Sequence, residues 1–185
     1  MGLKRTVEPV APPVTLAQAK AHARVDGDHE DDLITGLIHA ATAMVENYIG
    51  RSLMEQTWRY TPKTLSQRVE LPRGPVQSIS TFTVVDSDGN SQAVGSSSYS
   101  EDFDADPPAL VLNSGESWPT AGPDANAVTI EYVTGFDEVP ADIVQALLML
   151  VASWYSNRET LLTGSQAAEM PLGTMALLQN HRAFW

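Results

Sequence analysis

No cysteine occurs in the 185 residues. That removes thiol catalysis, Cys-ligated zinc and any disulfide framework, and it suits a protein that works in a reducing compartment. No apolar run nears the ~20 residues of a membrane-spanning helix. Lys4 and Arg5 could begin a signal peptide, but Thr6 to Pro13 brings three prolines and no apolar core. Met1 to Thr6 fits the short myristoylation pattern, yet no second membrane signal accompanies it. There is no G-x-S-x-G elbow, no P-loop and no Gly-rich dinucleotide turn. The most telling absence is positive charge: not one Lys or Arg lies between Gly74 and Asn157.

That same stretch holds 12 of the 23 acids: Asp86, Asp88, Glu101, Asp102, Asp104, Asp106, Glu116, Asp124, Glu131, Asp137, Glu138 and Asp142. The remaining 11 acids cancel the 11 bases of the flanks, so the whole net charge of -12 falls in one segment. DNA affinity comes from cations that neutralise phosphates, so this segment is no nucleic-acid clamp. It reads as a solvated surface that aids solubility, or as one that passes near nucleic acid without sticking.

A chain of this length buries roughly 70% of its unfolded surface and needs no metal to hold a core. Thr6 to Val14, with Pro9, Pro12 and Pro13, reads as an extended arm. Thr15 opens a first helix, capped reciprocally by Gln18, and Asp26-Gly27 ends it. Asp28 starts a second helix to Ile49. Leu33, Ile34, Leu37, Ile38, Ala41, Met44, Val45, Tyr48 and Ile49 recur there at three- and four-residue steps, which predicts one buried stripe. Gly50 supplies the left-handed cap.

From Glu55 the period changes. Residues 56–60, 68–71, 76–85 and 128–133 are rich in β-branched and aromatic side chains that partly alternate, and Asp86 to Asn90 reads as a hairpin turn. Ala109 to Leu112 adds a short strand inside a Pro- and Gly-rich loop. Helical periodicity returns at Pro140 and runs to about Arg158. Leu161 to Met170 reads as loose, and Pro171 starts a last short helix. Helices, then strands, then helices, without βαβ alternation, predict an α+β protein: a helical bundle core interrupted by a β-rich insertion, with a short C-terminal helix or arm. The expected division is 1–54 for the first helical part, 55–138 for the β-rich insertion, and 139–185 for the second helical part with the arm.

Catalytic and metal-binding signals are weak. His22, His29, His39 and His181 form no ligand spacing. Asp86-x-Asp88-x-Asn90 imitates a calcium loop, but Ser91 stands in place of its glycine and Ser97 in place of its closing glutamate. Any acidic loop would offer as many carboxylate pairs as this one. Catalytic residues, metal ligands and cofactors are therefore expected to be none. At the C-terminus Leu177, Leu178, Phe184 and Trp185 gather where chains usually fray. They either fold back on the helices or anchor in a partner.

Several stretches together resemble the phage head–tail connector (neck adaptor) family, also found in gene transfer agent particles. They are Thr15 to Lys20 with Arg24-Val25-Asp26, Asp31 to Ile34, Glu46 to Leu53, and Leu71 to Ile79. Tyr132 to Phe136 leading into Val139-Pro140, Ser153 to Glu159, and Met170 to Gly173 complete the set. The resemblance implies a structural protein of the virion neck, assembled in the host cytoplasm, with no catalytic activity. It implies a homo-oligomeric ring, commonly a dodecamer, between the portal protein and a stopper or tail protein. DNA would pass nearby without specific binding, and no membrane is involved. It also implies that Pro171 to Trp185 is a portal-docking arm on a tether after Arg158, with Leu172, Leu177, Leu178, Phe184 and Trp185 as anchors. An alternative from another class is a ligand- or glycan-binding module on the β-rich insertion, with Trp58 or Trp118 as stacking platform. A third is a hydrolase using Asp102 and Asp104.

Overall fold

The computed structural model describes residues 1–157 and 170–183, and these form two compact units. One is built from Met1–Val10, Gly50–Phe136 and Ala183; the other from Ala11–Ile49 and the described residues of Asp137–Arg182.

The first unit carries all the strands: β1 (Gly2–Val7), β2 (Gln56–Thr61), β3 (Arg68–Glu70), β4 (Val76–Val85), β5 (Ser91–Ala93), β6 (Tyr99–Asp102), β7 (Ala109–Leu112) and β8 (Val128–Thr134). They make an antiparallel five-stranded sheet in the order β1-β2-β8-β4-β5 and an antiparallel three-stranded sheet in the order β3-β7-β6. Central strand β8 alternates strictly, turning Val128, Ile130, Tyr132 and Thr134 inward. Register then stacks like on like: Ile130 lies opposite both Tyr60 and Phe82, and Val128 opposite Val84. Val69, Leu110 and Tyr99 of the smaller sheet join the same buried cluster. Full burial of side chains this size stabilises by roughly 1.5–3 kcal/mol each. The Tyr132 hydroxyl, carried deep into this core, is satisfied by donating to the Pro72 carbonyl at 2.8 Å, and burial pushes the phenol pKa up.

The second unit holds α1 (Leu16–Ala23), α2 (Asp31–Ile49), α3 (Ala141–Ser156) and α4 (Leu172–Leu178). The Thr15–Gln18 capping box forms as expected. The stop after α1 differs from expectation: Arg24 itself takes the left-handed conformation (φ 56°) and closes the helix through its N–H. Gly50 ends α2 at φ 72°. Helix α3 packs against α1, α2 and α4, burying Ile143, Ala146, Leu147, Leu150 and Val151. Lys20 on α1 reaches Asp31 at the start of α2 at 2.5 Å, and the Tyr155 hydroxyl donates to Glu30.

The expected helical bundle core interrupted by a β-rich insertion is therefore corrected. The chain is α+β, but its described residues form four helices and eight strands, and the two antiparallel sheets enclose a hydrophobic core of their own. The sheet also begins before the first helix, because Gly2–Val7 is edge strand β1. The reason is non-local: β1 pairs with Thr57–Thr61, fifty or more residues away, and six residues show no periodicity that reveals such a partner.

Candidate functional site

The acidic stretch does not converge on one point. The Asp86 carboxylate accepts from the N–H groups of Asp88 and Asn90, both at 2.9 Å, and from the Asn90 amide. The Asn90 bonds hold its carboxyl below the ordinary range. The calcium-loop look-alike is thus the hairpin turn between β4 and β5. Three other acids are met by arginines from earlier in the chain: Asp106 by Arg51 (2.5 Å), Asp102 by Arg68 (2.6 Å) and Glu131 by Arg59 (2.8 Å). Asp88, Glu101, Asp104, Glu116 and Asp124 remain exposed and carry the outward negative charge of the β unit. Among the described residues no group of three or more His, Asp or Glu is placed to hold a metal ion.

The aromatic platforms are occupied. Trp118 lies among Phe82 and Tyr99, with centroids 5.4 and 6.2 Å away, and its N–H donates to the Ser66 carbonyl. Trp58 has the guanidinium groups of Arg5 and Arg73 over its ring at 5.8 and 5.3 Å, and its N–H donates to Ser52. Both rings are half-buried and already engaged by neighbours of the same unit. The outer face of the five-stranded sheet is polar. A shallow hollow of about 550 Å³ there is lined by Lys4, Thr61, Thr81, Thr83, Thr129 and the Arg59–Glu131 pair, and no two carboxylates meet in it.

The anticipated C-terminal anchors separate by environment. Leu172 opens α4 and is 84% exposed, Leu177 is half-buried, and Leu178 is fully buried where α4 packs on α3. Phe184 and Trp185 lie outside the described residues, as does the anticipated tether between Arg158 and Pro171 except for its last residue, Met170, which is buried. Thr174 and Leu178, one turn apart, form the inward side of α4. Two contacts pin the segment that follows: His181 Nε2 lies 2.6 Å from Asp142, and the Arg182 guanidinium sits over the Tyr48 ring at 5.2 Å.

Asp142 stands in the first turn of α3, where the helix dipole also favours a carboxylate. Its hydrogen bond to His181 holds its carboxyl below the ordinary range. A lowered folded-state pKa contributes stability above the unfolded value that is lost as pH falls through the folded one. Thermal unfolding of the wild type should therefore weaken between pH 5 and pH 3 more than that of Asp142→Asn. Parallel losses in the two proteins would remove this contact from the stability of the helical unit.

Sequence reasoning missed the N-terminus. Met1, Leu3, Val7 and Val10 are four of the six exposed large hydrophobics among the described residues, the others being Leu33 and Leu172. The only available signal was four apolar residues within ten that no helix or predicted strand absorbed.

A profile of head completion proteins matches residues 14–184. No curated protein matches the chain. Among solved structures, a chain from the neck of an empty gene transfer agent particle, computed with sixfold symmetry, is similar at 23% identity and TM-score 0.80, over 100% of this chain and 97% of that one. A chain from the native gene transfer agent virion is similar at 24% identity and TM-score 0.76, with the same coverage. One from the native particle's neck, computed with twelvefold symmetry, has 25% identity and TM-score 0.70, over 97% of this chain and 96% of that one. With the profile spanning nearly its full length, the chain belongs to the head completion protein family.

Proposed function

We propose that this protein is a structural neck adaptor of a phage or phage-like particle. Copies of it form a ring between the portal and the stopper or tail, extend the channel for DNA, and carry out no reaction. One observation carries the reading: a chain matched by the head completion profile is also similar, over its whole length, to a chain from a gene transfer agent neck. The sixfold and twelvefold symmetry of those necks supports a ring of twelve copies.

Two physical features support the details. A conduit for DNA should repel phosphate, and the β unit presents exposed Asp88, Glu101, Asp104, Glu116 and Asp124. A docking arm should offer apolar surface that its own fold does not use, and Leu172 does so, with Phe184 and Trp185 following in sequence. Leu178 instead holds α4 to α3 and positions the arm.

The test is to mix the full chain with purified portal rings of the same particle and image the product. A ring seated on the portal is the expected result. Failure to bind the portal, together with absence of the chain from purified particles, would overturn the reading.

A further inference from the structure

The five-stranded sheet is open at both ends. Among the described residues, β1 pairs only with β2, and β5 only with β4. The two edges differ in charge. Strand β1 contributes Lys4 and Arg5 and no acid. The hairpin leading into β5 contributes Asp86 and Asp88, inside the stretch that has no base at all.

Free edges are usually protected from pairing by charged side chains and bulges, and β1 has both, with Lys4 and a register break between Arg5 and Val7. It also exposes Leu3 and Val7, flanked by Met1 and Val10, which a purely protected edge would not. Charge that blocks indiscriminate pairing together with apolar surface that rewards the right pairing describes a selective edge.

We infer that β1 of one copy docks along the β5 edge of the next, joining the basic, apolar N-terminal strand to the acidic hairpin of a second copy of this chain. The two surfaces are different, so the contact is head-to-tail, and it closes into a ring when the repeated rotation completes a full turn without a rise. Main-chain hydrogen bonds would supply affinity, and Lys4 facing Asp88 would fix polarity and register. The inference rests on the ring reading above and adds which edges meet.

The absence of native cysteine gives a clean test. Thr6→Cys and Gln92→Cys, both at exposed positions, are combined in the full chain. The rings are assembled on portal, imaged, and mildly oxidised. A ladder of cross-linked multimers with the double variant, and none with either single variant, is the expected result. Lys4→Glu should lower the yield about two- to fivefold per contact, the range for exposed charge pairs, and adding Asp88→Lys should restore it. Rings that form but give no ladder would overturn this inference and leave the ring reading standing. Dimers from a single-cysteine variant would also overturn it, since they mark a symmetric contact. If no ring forms on any portal, both readings fall.

Discussion

Replacing Gly135 with alanine should cost about 2–6 kcal/mol of stability, because two penalties combine there: backbone strain of ~1–3 kcal/mol and overpacking of similar size. Gly135 follows β8 with φ 132°, a conformation L side chains rarely adopt. A Cβ at this position would lie 2.5 Å from the carbonyl carbon and oxygen of Met54 and 2.7 Å from the Glu55 nitrogen. These are backbone atoms at the entrance to β2, so no rotamer change relieves the clash. The surroundings cannot drift either. Gly135 donates to the Pro75 carbonyl at 3.0 Å, accepts from the Gln77 amide at 3.0 Å, and is followed by Phe136 donating to the Leu53 carbonyl at 3.2 Å. The residue thus sits where the ends of β2, β4 and β8 converge. Gly89 makes the control: it has φ 82° but nothing within 4 Å of a Cβ, so Gly89→Ala should pay only for the backbone, about 1 kcal/mol. Urea denaturation of the two variants side by side decides the matter. Equal midpoints would show that the close approach to Met54 carries no energetic weight.

Gly135 also illustrates what was legible in the sequence. It stood out as part of Tyr132 to Phe136, one of the stretches that resemble the connector family, but the reason for a glycine lies in a backbone eighty residues earlier in the chain. Local signals read well. The Thr15–Gln18 box, the buried positions Ile34, Ile38, Ala41, Val45 and Ile49, and the left-handed Gly50 all follow from interactions within a few turns, although Leu33, expected in the same stripe, is exposed. The alternation of β8 read well too, because one face is core and the other polar. What stayed hidden depended on distant partners. β1 exists because β2 is there to pair with it, and Tyr99–Asp102 becomes strand β6 because β7 lies alongside. The acidic stretch looked bare of cations because Arg51, Arg59 and Arg68 are supplied from outside it.

The C-terminal leucines were grouped for the same reason. A seven-residue helix is too short for its apolar pattern to separate a core side from an outer side. In the structure Leu178 is fully buried while Leu172 is 84% exposed. That difference converts a broad deletion into a sharper experiment. Removing residues 171–185 would take away α4, so lost portal binding could reflect a damaged helical unit rather than a missing anchor.

Leu172→Asp, by contrast, should leave stability within about 0.5 kcal/mol, as exposed substitutions usually do. If Leu172 is a buried anchor in the assembled neck, the same change should weaken portal binding about thirtyfold or more, the level at which interface anchors act. Ending the chain after Ala183 removes Phe184 and Trp185 and should have an effect at least as large, since aromatic residues dominate such contacts. Leu178→Ala is the counterpart. It opens a cavity under α4 and should cost about 2–5 kcal/mol of stability, with binding lost only as far as α4 leaves its place on α3. Thermal melts and portal-ring pull-downs on the three variants separate positioning from contact. Docking through this segment predicts Leu172→Asp and the truncation to be stable and binding-defective, and Leu178→Ala to be unstable first. Full binding by both Leu172→Asp and the truncated chain would place the portal contact elsewhere on the protein.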